Sequence, residues 1–174
     1  PKRPQVVLMD LEMPIMDGSS QPFVELIDEV GVLEQDAAKV WYSIDENIYH
    51  HDEEKRVEMV VMPSTEYQVT TLIDFNSPVL GTQHAELKNM QNFKDSVAPC
   101  RTFCFLHELE MLLDNNLIKG GDLNNAIVIV DKPVDDKEMI RLKKIFKKEK
   151  IEVKSEGYLN NLELRFPNEP ARHK

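Results

Sequence analysis

The 174-residue sequence lacks most of what marks a disulfide-rich, membrane-spanning or secreted protein. It has only two cysteines, Cys100 and Cys104, and their spacing in a Phe-rich segment suits one helix face, which predicts buried free thiols rather than a metal pair or a disulfide. No apolar run approaches the roughly 20 residues that a transmembrane helix needs, and no signal peptide is present. We therefore expect a cytoplasmic protein without a transmembrane segment.

Positive charge is also scarce in this chain. The 21 Lys and Arg residues face 31 Asp and Glu, for a formal net charge of -10. Because nonspecific nucleic-acid binding requires clustered Lys and Arg, we expect no nucleic-acid partner. The one basic stretch, residues 141–150, follows an acidic start at residue 135. This order complements a helix macrodipole and predicts a solvated helix face.

The sequence instead contains alternating strand-like and helical segments. A hydrophobic fraction of 41% supports a packed core. Apolar periodicity predicts helices at residues 21–30, 84–97, 105–116 and 135–150. It predicts strands at 5–11, 68–75, 126–131 and near 162–166, and a hairpin within 39–63 whose turn holds residues 50–54. Two His and three acidic residues in that turn are better explained by a solvated tip than by a metal site. Mixed strands and helices without repeats predict an α+β fold.

The opening residues permit one interpretation as a signalling module. The segment KRPQVVLMDLEMPIMDG, residues 2–18, resembles the strand and loop of a response-regulator receiver domain, with Asp10 as phosphoacceptor. A receiver also needs an acidic pair before this strand, which is missing. The only suitable Lys-Pro pair contains Lys132. This lysine follows Asp10 by roughly twice the number of residues that separates the two positions in a receiver. A phosphorylation-dependent signalling module therefore remains only an alternative function.

Four later blocks resemble a different family. They are IMDGSSQPF (15–23), LIDFNSPVLGTQ (72–83), APCRTFCFLHELEMLLDNNLIKGGDLNNAIVI (98–129) and LRFPNEPARHK (164–174). In this order they are similar to motifs of the UDP-3-O-acyl-N-acetylglucosamine deacetylases. The resemblance implies zinc-dependent hydrolysis of a sugar acetamide in lipid A biosynthesis, with a UDP-linked acylated glucosamine as substrate. It also implies two β-α-α-β sandwich domains that face each other across a Zn²⁺ site.

The resemblance also implies domain boundaries. Residues 13–33 correspond to the end of the first deacetylase domain, with its last helix, and residues 34–174 to the second, truncated at its C-terminus. An acyl-chain-binding insert covers about residues 103–161. Residues 1–12 are either a divergent strand or a receiver segment joined at the shared Pro-Ile-Met-Asp-Gly, and the match over residues 2–18 favours the join.

Several residues take on roles by this resemblance. Zinc-dependent amide hydrolysis needs three protein ligands, an open position for water, a general base and a charge stabiliser. His173 matches a zinc ligand, and Thr102 matches the residue that stabilises the tetrahedral intermediate. Lys174 matches the lysine that meets the substrate diphosphate. Asp74 and Phe75 match the pair that holds uracil.

A long apolar slot for the acyl chain is implied as well. The residues that correspond to its lining are Phe103, Leu106, Leu109, Ile118, Leu123, Ala126 and Val128, with Gly120 and Gly121 allowing close backbone approach. From the apolar pattern alone, the same side chains are equally well explained as ordinary core.

Some functional parts of the family are absent from this sequence. The first zinc histidine and the Glu general base belong to the first domain, and the third ligand, an Asp, would fall beyond Lys174. A later histidine that protonates the leaving amine is also missing. We therefore expect this chain to be a fragment, inactive by itself, and a non-catalytic nucleotide-sugar or acyl-binding module is the other alternative. The Lys-rich stretch 133–161 resembles family members fused to a hydroxyacyl-carrier-protein dehydratase.

Overall fold

Five α-helices and seven β-strands are present in the described part of the chain, which in this computed structural model comprises residues 14–38, 40, 42–115, 122–152, 157–161 and 163–174. The helices are α1 (Gln21–Val30), α2 (Phe93–Ser96), α3 (Leu109–Asp114), α4 (Asp136–Phe146) and α5 (Glu169–His173). The strands are β1 (Ile48–Asp52), β2 (Val57–Val61), β3 (Val69–Asp74), β4 (Thr82–Leu87), β5 (Phe103–Phe105), β6 (Ile127–Val130) and β7 (Gly157–Tyr158). This mixture agrees with the predicted α+β class.

The strands form small sheets rather than one large sheet. In the described residues, β1 pairs with β2 and β3 pairs with β4, both antiparallel. The third sheet has the order β5-β6-β7, in which β5 and β6 are parallel and β7 is antiparallel to β6. The parallel pair is joined by a crossover through α3, as parallel strands require a long connection.

The centre of the core is β6, because both faces of this strand are buried. Ile127 and Ile129 belong to a cluster with Phe105 and Leu80. Val128 and Val130 point to the opposite side, where they belong to a cluster with Leu109, Leu123, Leu142, Ile151 and Leu159. Successive side chains alternate between the faces of a strand, so a continuous apolar run is what a doubly covered strand needs. The predicted strand at residues 126–131 is confirmed.

Helix α4 confirms the prediction from the charge order at residues 135–150. The side chain of Asp135 accepts a hydrogen bond from the Glu138 backbone N–H at 2.7 Å and caps the helix. Leu142 is buried against β6. The apolar residues of this stretch do not all share one side, because Ile140 is 70% exposed. Its direction on the helix turns it away from the stripe that Met139, Leu142 and Phe146 share.

Helix α1 has the predicted ends. It begins after Ser20, has a proline in its first turn and ends at Gly31, which adopts a φ of 79°. The Ser20 hydroxyl does not cap the helix, because it donates to the carbonyl oxygen of Ala98 at 3.3 Å. The side chains of Leu26, Ile27 and Val30 are exposed.

The hairpin turn lies later in the chain than predicted. Residues 53–56 form the turn, while His50, His51 and Asp52 belong to β1 and pair with β2. The Asp52 carboxylate accepts a hydrogen bond from the Lys55 backbone N–H at 2.9 Å. An Asp at the first position of a turn favours this geometry, which explains the shift.

Three further predictions are wrong in detail. Residues 84–87, predicted as the start of a helix, belong to β4 because the ladder with β3 overrides their weak helical tendency. Residues 163–166 contain no strand, since the Arg165 backbone N–H donates to the Glu169 carboxylate instead of to a sheet. Cys104 lies in β5 opposite Val128, and not with Cys100 on one helix face. Both thiols are nevertheless free, as predicted.

Within the described ranges, no helix is both long and apolar enough to cross a lipid bilayer. Residues 1–13, which include Asp10 and most of the receiver-like segment, lie outside those ranges, as do Ile118, Gly120 and Gly121.

Candidate active-site region

Helix α5 carries His173 next to the segment that precedes β5. The Nδ1 atom of His173 lies 3.3 Å from the carbonyl oxygen of Cys100. A carbonyl oxygen can only accept a hydrogen bond, so Nδ1 must carry the proton and a neutral ring keeps its lone pair on Nε2. Partial burial lowers the pKa of His173, the Cys100 hydrogen bond opposes this, and the charge of Lys174 lowers the pKa further. The ring is therefore neutral at physiological pH.

Aromatic rings connect His173 to the other end of the region. The Phe103 ring lies edge-on to His173 with 6.3 Å between ring centroids, and edge-on to Phe75 at 5.8 Å. Phe75 also contacts Phe105 at 5.4 Å. We call Phe75, Phe103 and Phe105 the aromatic cluster. Lys174 extends over the Phe103 ring, with Nζ 5.6 Å from the centroid. Four predicted site residues, Phe75, Phe103, His173 and Lys174, thus lie together although they come from three sequence blocks.

The members of the aromatic cluster differ in exposure. Phe105 is 5% exposed and contributes to the core, whereas Phe75 is 43% exposed. Phe75 contacts the half-buried Phe103 and the buried Phe105, and its exposed surface is suited to stacking. Phe75 directly follows the end of β3 at Asp74, and its contact with uracil stays a prediction.

Asp74 precedes this ring and closes the loop between β3 and β4. Its Oδ1 accepts from the Asn76 backbone N–H at 2.8 Å, and its Oδ2 accepts from the Thr82 hydroxyl at 2.7 Å. The hydrogen bond from the Thr82 hydroxyl has the larger effect and that from the Asn76 N–H the smaller, and both lower the pKa of Asp74. The carboxylate is ionised at neutral pH, and each oxygen retains a second lone pair for a ligand.

Thr102 lies between two backbone hydrogen bonds. Its N–H donates to the Gly18 carbonyl at 2.7 Å, and its own carbonyl accepts from the Ile127 N–H at 2.9 Å. The residue is half-buried, and its backbone cannot shift without breaking contacts to two distant segments. The backbone that carries the Thr102 side chain is therefore held in place, as the backbone of an oxyanion-stabilising group must be.

The residues predicted to line an acyl slot are divided between the two faces of β6 and its start. Leu109, Leu123 and Val128 lie in the core cluster around α4, with Leu106 packed against it. Phe103 packs against the cluster on the opposite face of β6, and Ala126 is half-buried. These contacts are those of ordinary core side chains, and contact with an acyl chain stays a prediction.

An ionic network that the sequence analysis did not identify lies beneath the region. Glu169 accepts four hydrogen bonds: from the backbone N–H, Nε and Nη2 of Arg101 at 2.9, 2.9 and 3.0 Å, and from the Arg165 backbone N–H at 2.7 Å. The Glu169 side chain is fully buried and that of Arg101 is 9% exposed. Burial acts to raise the pKa of Glu169, but the hydrogen bonds from Arg101 and Arg165 outweigh burial and leave the pKa below its ordinary value.

A second part of the network reaches the loop before α1. The Arg165 guanidinium donates to the Asp17 carboxylate at 2.8 Å and to the Pro99 carbonyl at 2.7 Å. Asp17 also accepts from the Ser19 hydroxyl at 2.7 Å. The network therefore joins residues 17–19, 99–101 and 163–169, which belong to three of the four motif blocks. An Arg and a Glu inside separate motif blocks were the available sequence signal.

The same loop requires glycine at position 18. Gly18 has a φ of 84°, and a Cβ atom there would lie 1.9 Å from the Asn125 carbonyl oxygen. The loop thus approaches the turn before β6 more closely than any side chain permits.

A groove of about 280 Å³ opens beside α5, on the side of β3, β4 and α2. Its lining includes Tyr67, Thr71, Glu86, Phe93, His173 and Lys174. The groove lining therefore combines the residues His173 and Lys174 with many apolar side chains.

His173 is the one metal ligand that the sequence predicts in this chain. Among the residues that the structure describes, no group of three or more His, Cys, Asp or Glu side chains is placed to hold a metal ion. Burial raises the pKa of Cys100 and of Cys104 to about 11, so both thiols stay protonated and are poor ligands. His173, with a neutral ring and a backbone carbonyl on Nδ1, has the arrangement that metal-binding histidines usually show.

Comparison with known proteins agrees with the motif analysis. The model of the UDP-3-O-acyl N-acetylglycosamine deacetylase family matches residues 4–151. The protein of Chlorobaculum tepidum named "Bifunctional enzyme LpxC/FabZ" is 43% identical over 173 residues, which are 98% of this chain and 37% of that protein. A protein of the same name from Porphyromonas gingivalis is 41% identical over 163 residues, 94% of this chain and 35% of that protein.

A relative without the bifunctional name matches as well. The UDP-3-O-acyl-N-acetylglucosamine deacetylase of Syntrophotalea carbinolica is 40% identical over 164 residues, 94% of this chain and 45% of that protein. This chain thus spans between about a third and a half of the length of the curated relatives it matches. The family match begins at residue 4 and takes in most of residues 1–12. Because the match covers most of the sequence, the chain belongs to the UDP-3-O-acyl N-acetylglycosamine deacetylase family.

Proposed function

We propose that this chain supplies part of the active site of a zinc-dependent deacetylase that hydrolyses the acetamide of UDP-3-O-acyl-N-acetylglucosamine in lipid A biosynthesis. The observation that carries the proposal is the meeting of His173, Lys174, Phe103 and Phe75 in one region. These residues come from three motif blocks that are distant in sequence. The packing of a hydrophobic core does not by itself require an imidazole, an ammonium group and an exposed ring to lie together.

His173 is proposed as a zinc ligand through Nε2. Metal binding requires a neutral imidazole, and both the lowered pKa and the hydrogen bond of Nδ1 to Cys100 favour that form with Nε2 unprotonated. When bound, zinc would supply a Lewis acid and a water of lowered pKa. One ligand does not make a catalytic zinc site. We therefore propose that the other ligands come from the longer protein and that this chain alone does not turn over substrate.

The remaining residues are proposed to bind and orient the substrate. Lys174, held over the Phe103 ring, would meet the diphosphate as a point charge. The open face of Phe75 would stack on uracil, and the ionised Asp74 would accept a hydrogen bond from the base. Thr102 would donate its hydroxyl to the oxyanion that forms on the acetyl carbon. Its two backbone hydrogen bonds support that role because they hold the backbone from which the hydroxyl projects.

The proposal extends to architecture. Residues 34–174 would form most of a second β-α-α-β sandwich domain, and residues 13–33 the last helix of a first domain. The insert at about 103–161 would receive the acyl chain, each buried CH₂ of which contributes about 0.8 kcal/mol to affinity. Two relatives named as bifunctional enzymes support a further fused domain, a hydroxyacyl-carrier-protein dehydratase, in the complete protein.

A chimeric enzyme tests this function. In it, the chain replaces the matching 173-residue segment of the Chlorobaculum tepidum protein, which supplies the remainder. We expect zinc-dependent release of acetate from UDP-3-O-acyl-N-acetylglucosamine, lost on chelation and restored by Zn²⁺. His173→Ala should abolish turnover, and Lys174→Ala should raise KM, whereas the exposed hairpin variant Lys55→Ala should change neither.

Two outcomes would contradict the proposal. A folded chimera that releases no acetate, while the native relative does, would rule out the deacetylase role for this chain. If that chimera still bound UDP, the chain would instead be a non-catalytic nucleotide-sugar or acyl-binding module. Retention of full activity by His173→Ala would remove the assigned metal ligand.

A further inference from the structure

The buried carboxylate of Glu169 lies at the start of α5, the helix that carries His173. The Glu169 side chain has no solvent exposure, and that of Arg101 has 9%. Burying an ion pair removes two charges from water, and apolar residues of similar volume are often equally stable or more stable there. Stability alone therefore gives a weak reason for ionic groups at this position.

Both ends of helix α5 are attached to the same three-residue segment. At the first residue of the helix, Glu169 accepts from the Arg101 backbone N–H and guanidinium. At the last, His173 donates from Nδ1 to the Cys100 carbonyl. Thr102 follows directly in the segment. Positions four apart lie on one helix face, so Glu169 and His173 both face residues 100–102.

A helix of this length needs outside support. Helix α5 has five residues, and isolated helices this short are not stable in water because nucleation is unfavourable. Its orientation must come from tertiary contacts. Among these contacts are the four hydrogen bonds to Glu169, two of which come from the backbone N–H groups of Arg101 and Arg165.

We propose that Glu169 is a positioning residue: by clamping α5 to residues 100–102 through Arg101, it holds the Cys100 carbonyl against Nδ1 of His173 and so keeps Nε2 unprotonated. The same clamp fixes the backbone from which the Thr102 hydroxyl projects. This inference rests on the proposed function, because that function gives Nε2 and the hydroxyl their roles. The tautomer of His173 is nevertheless a property of the chain that exists without substrate or turnover.

The first test reads the tautomer directly. The 174-residue chain, labelled with ¹⁵N-histidine, is studied by long-range ¹H–¹⁵N correlation at pH 8, and His173 is identified by its loss in His173→Asn. We expect the wild-type ring to carry its proton on Nδ1. Glu169→Gln, which keeps the shape but not the charge, should give a mixture of both tautomers. Leu142→Ala, which destabilises the distant core around α4, should leave the His173 signals unchanged.

Two results would overturn the inference. A wild-type ring with its proton on Nε2 would do so without any variant. A single Nδ1–H tautomer retained in folded Glu169→Gln would show that the carboxylate does not position the ring. Should Glu169→Gln fail to fold, Arg101→Lys tests the same clamp, because lysine keeps the positive charge but loses the forked contact.

A kinetic test uses the chimeric enzyme. Glu169→Gln should lower kcat by about 10- to 100-fold, the usual range for a residue that orients a metal ligand, with KM little changed. Lys55→Ala, in the hairpin outside the proposed binding residues, should leave kcat unaltered. A loss of activity in Glu169→Gln that is fully accounted for by a lower yield of folded enzyme, with kcat per folded molecule unchanged, would indicate a merely structural role for Glu169. An inactive wild-type chimera would contradict the proposed function, while the tautomer measurement would still decide the inference.

Discussion

The β1–β2 hairpin and the segment 98–102 show two ways in which this chain fixes its backbone. The hairpin is held by a ladder of five residue pairs, from Ile48 opposite Val61 to Asp52 opposite Val57, yet nearly all its side chains are exposed. No residue of the segment 98–102 belongs to a strand. The segment is held instead by partners from three distant parts of the sequence.

The difference lies in which groups carry the structure. In the hairpin, apolar side chains such as Met59 at 57% exposure contribute nothing to a core. Around Arg101, hydrogen bonds join side chains to backbone groups as well as to other side chains. The Arg101 backbone N–H and Nε both donate to the Glu169 carboxylate at 2.9 Å. Sensitivity to substitution should therefore be concentrated in the segment that lacks regular structure, against the usual expectation for loops.

The largest expected effect is the loss of Arg101. Arg101→Met leaves the Glu169 carboxylate buried without its partner, which should lower the free energy of unfolding by about 3–5 kcal/mol. Lys55→Met is the matched hairpin variant, because Lys55 forms an exposed ion pair with Asp52 at 3.4 Å. Exposed pairs contribute little, so urea unfolding should barely distinguish it from wild type. Equal losses would invalidate the comparison.

Gly18→Ala should have the next largest effect. The added methyl group would overlap the Asn125 carbonyl and the backbone would keep its strained positive φ, for a loss of about 3 kcal/mol. Gly81→Ala provides the control, since Gly81 has a φ of 57° but no atom within 4 Å of the added Cβ. That variant should lose about 1 kcal/mol in the same unfolding measurement. Similar losses would show that position 18 has room to adjust.

A smaller effect should depend on pH. The pKa of Glu169 lies below its ordinary value of 4.5, so the unfolded chain takes up this proton first as the pH falls. The stability that the ionised carboxylate contributes is complete at neutral pH and is lost as the pH drops from 4.5 through the folded-state pKa. The stability difference between wild type and Glu169→Gln should therefore shrink from pH 7 to pH 3. A constant difference would mean that the pKa of Glu169 is the same in the folded and unfolded chains, and a difference that grows toward pH 3 would mean that the folded chain holds the carboxyl protonated.

The smallest effect is expected in the hairpin itself. Met59→Ser should change the free energy of unfolding by less than about 0.5 kcal/mol, as is usual for exposed positions. Ile129→Ala, at a fully buried position of β6, should lower it by about 2–5 kcal/mol. Comparable losses in the two variants would show that the hairpin is covered in solution.

Much of the fold was readable from the sequence where local patterns and tertiary contacts agree. The continuous apolar run of β6 predicted a strand buried on both faces, and Asp135 with its acidic first turn predicted the start of α4. Predictions failed where a partner strand decided the outcome. Residues 84–87 have weak intrinsic preference, and the ladder with β3 made them a strand. The Thr and Leu residues of β3 that lie opposite residues 84–87 are not visible in the short stretch of sequence around those residues.

The candidate site divides in the same way. His173, Lys174 and Phe75 were predicted as site residues because they stand inside a family-like motif, and the structure brings them together with Phe103. The proposed role of Glu169 was not predicted, because a Glu at the start of a helix is common and its partner Arg101 lies 68 residues earlier. Pairing over that distance depends on the complete fold.

The thiols of this chain also have a practical consequence. With a pKa of about 11 for both Cys100 and Cys104, on the order of one molecule in ten thousand carries a thiolate at pH 7. Maleimide reagents should therefore pass over both native sulfurs. A cysteine placed at Lys55 on the hairpin would then react alone, and a fluorophore or spin label could be attached there without first removing the natural cysteines.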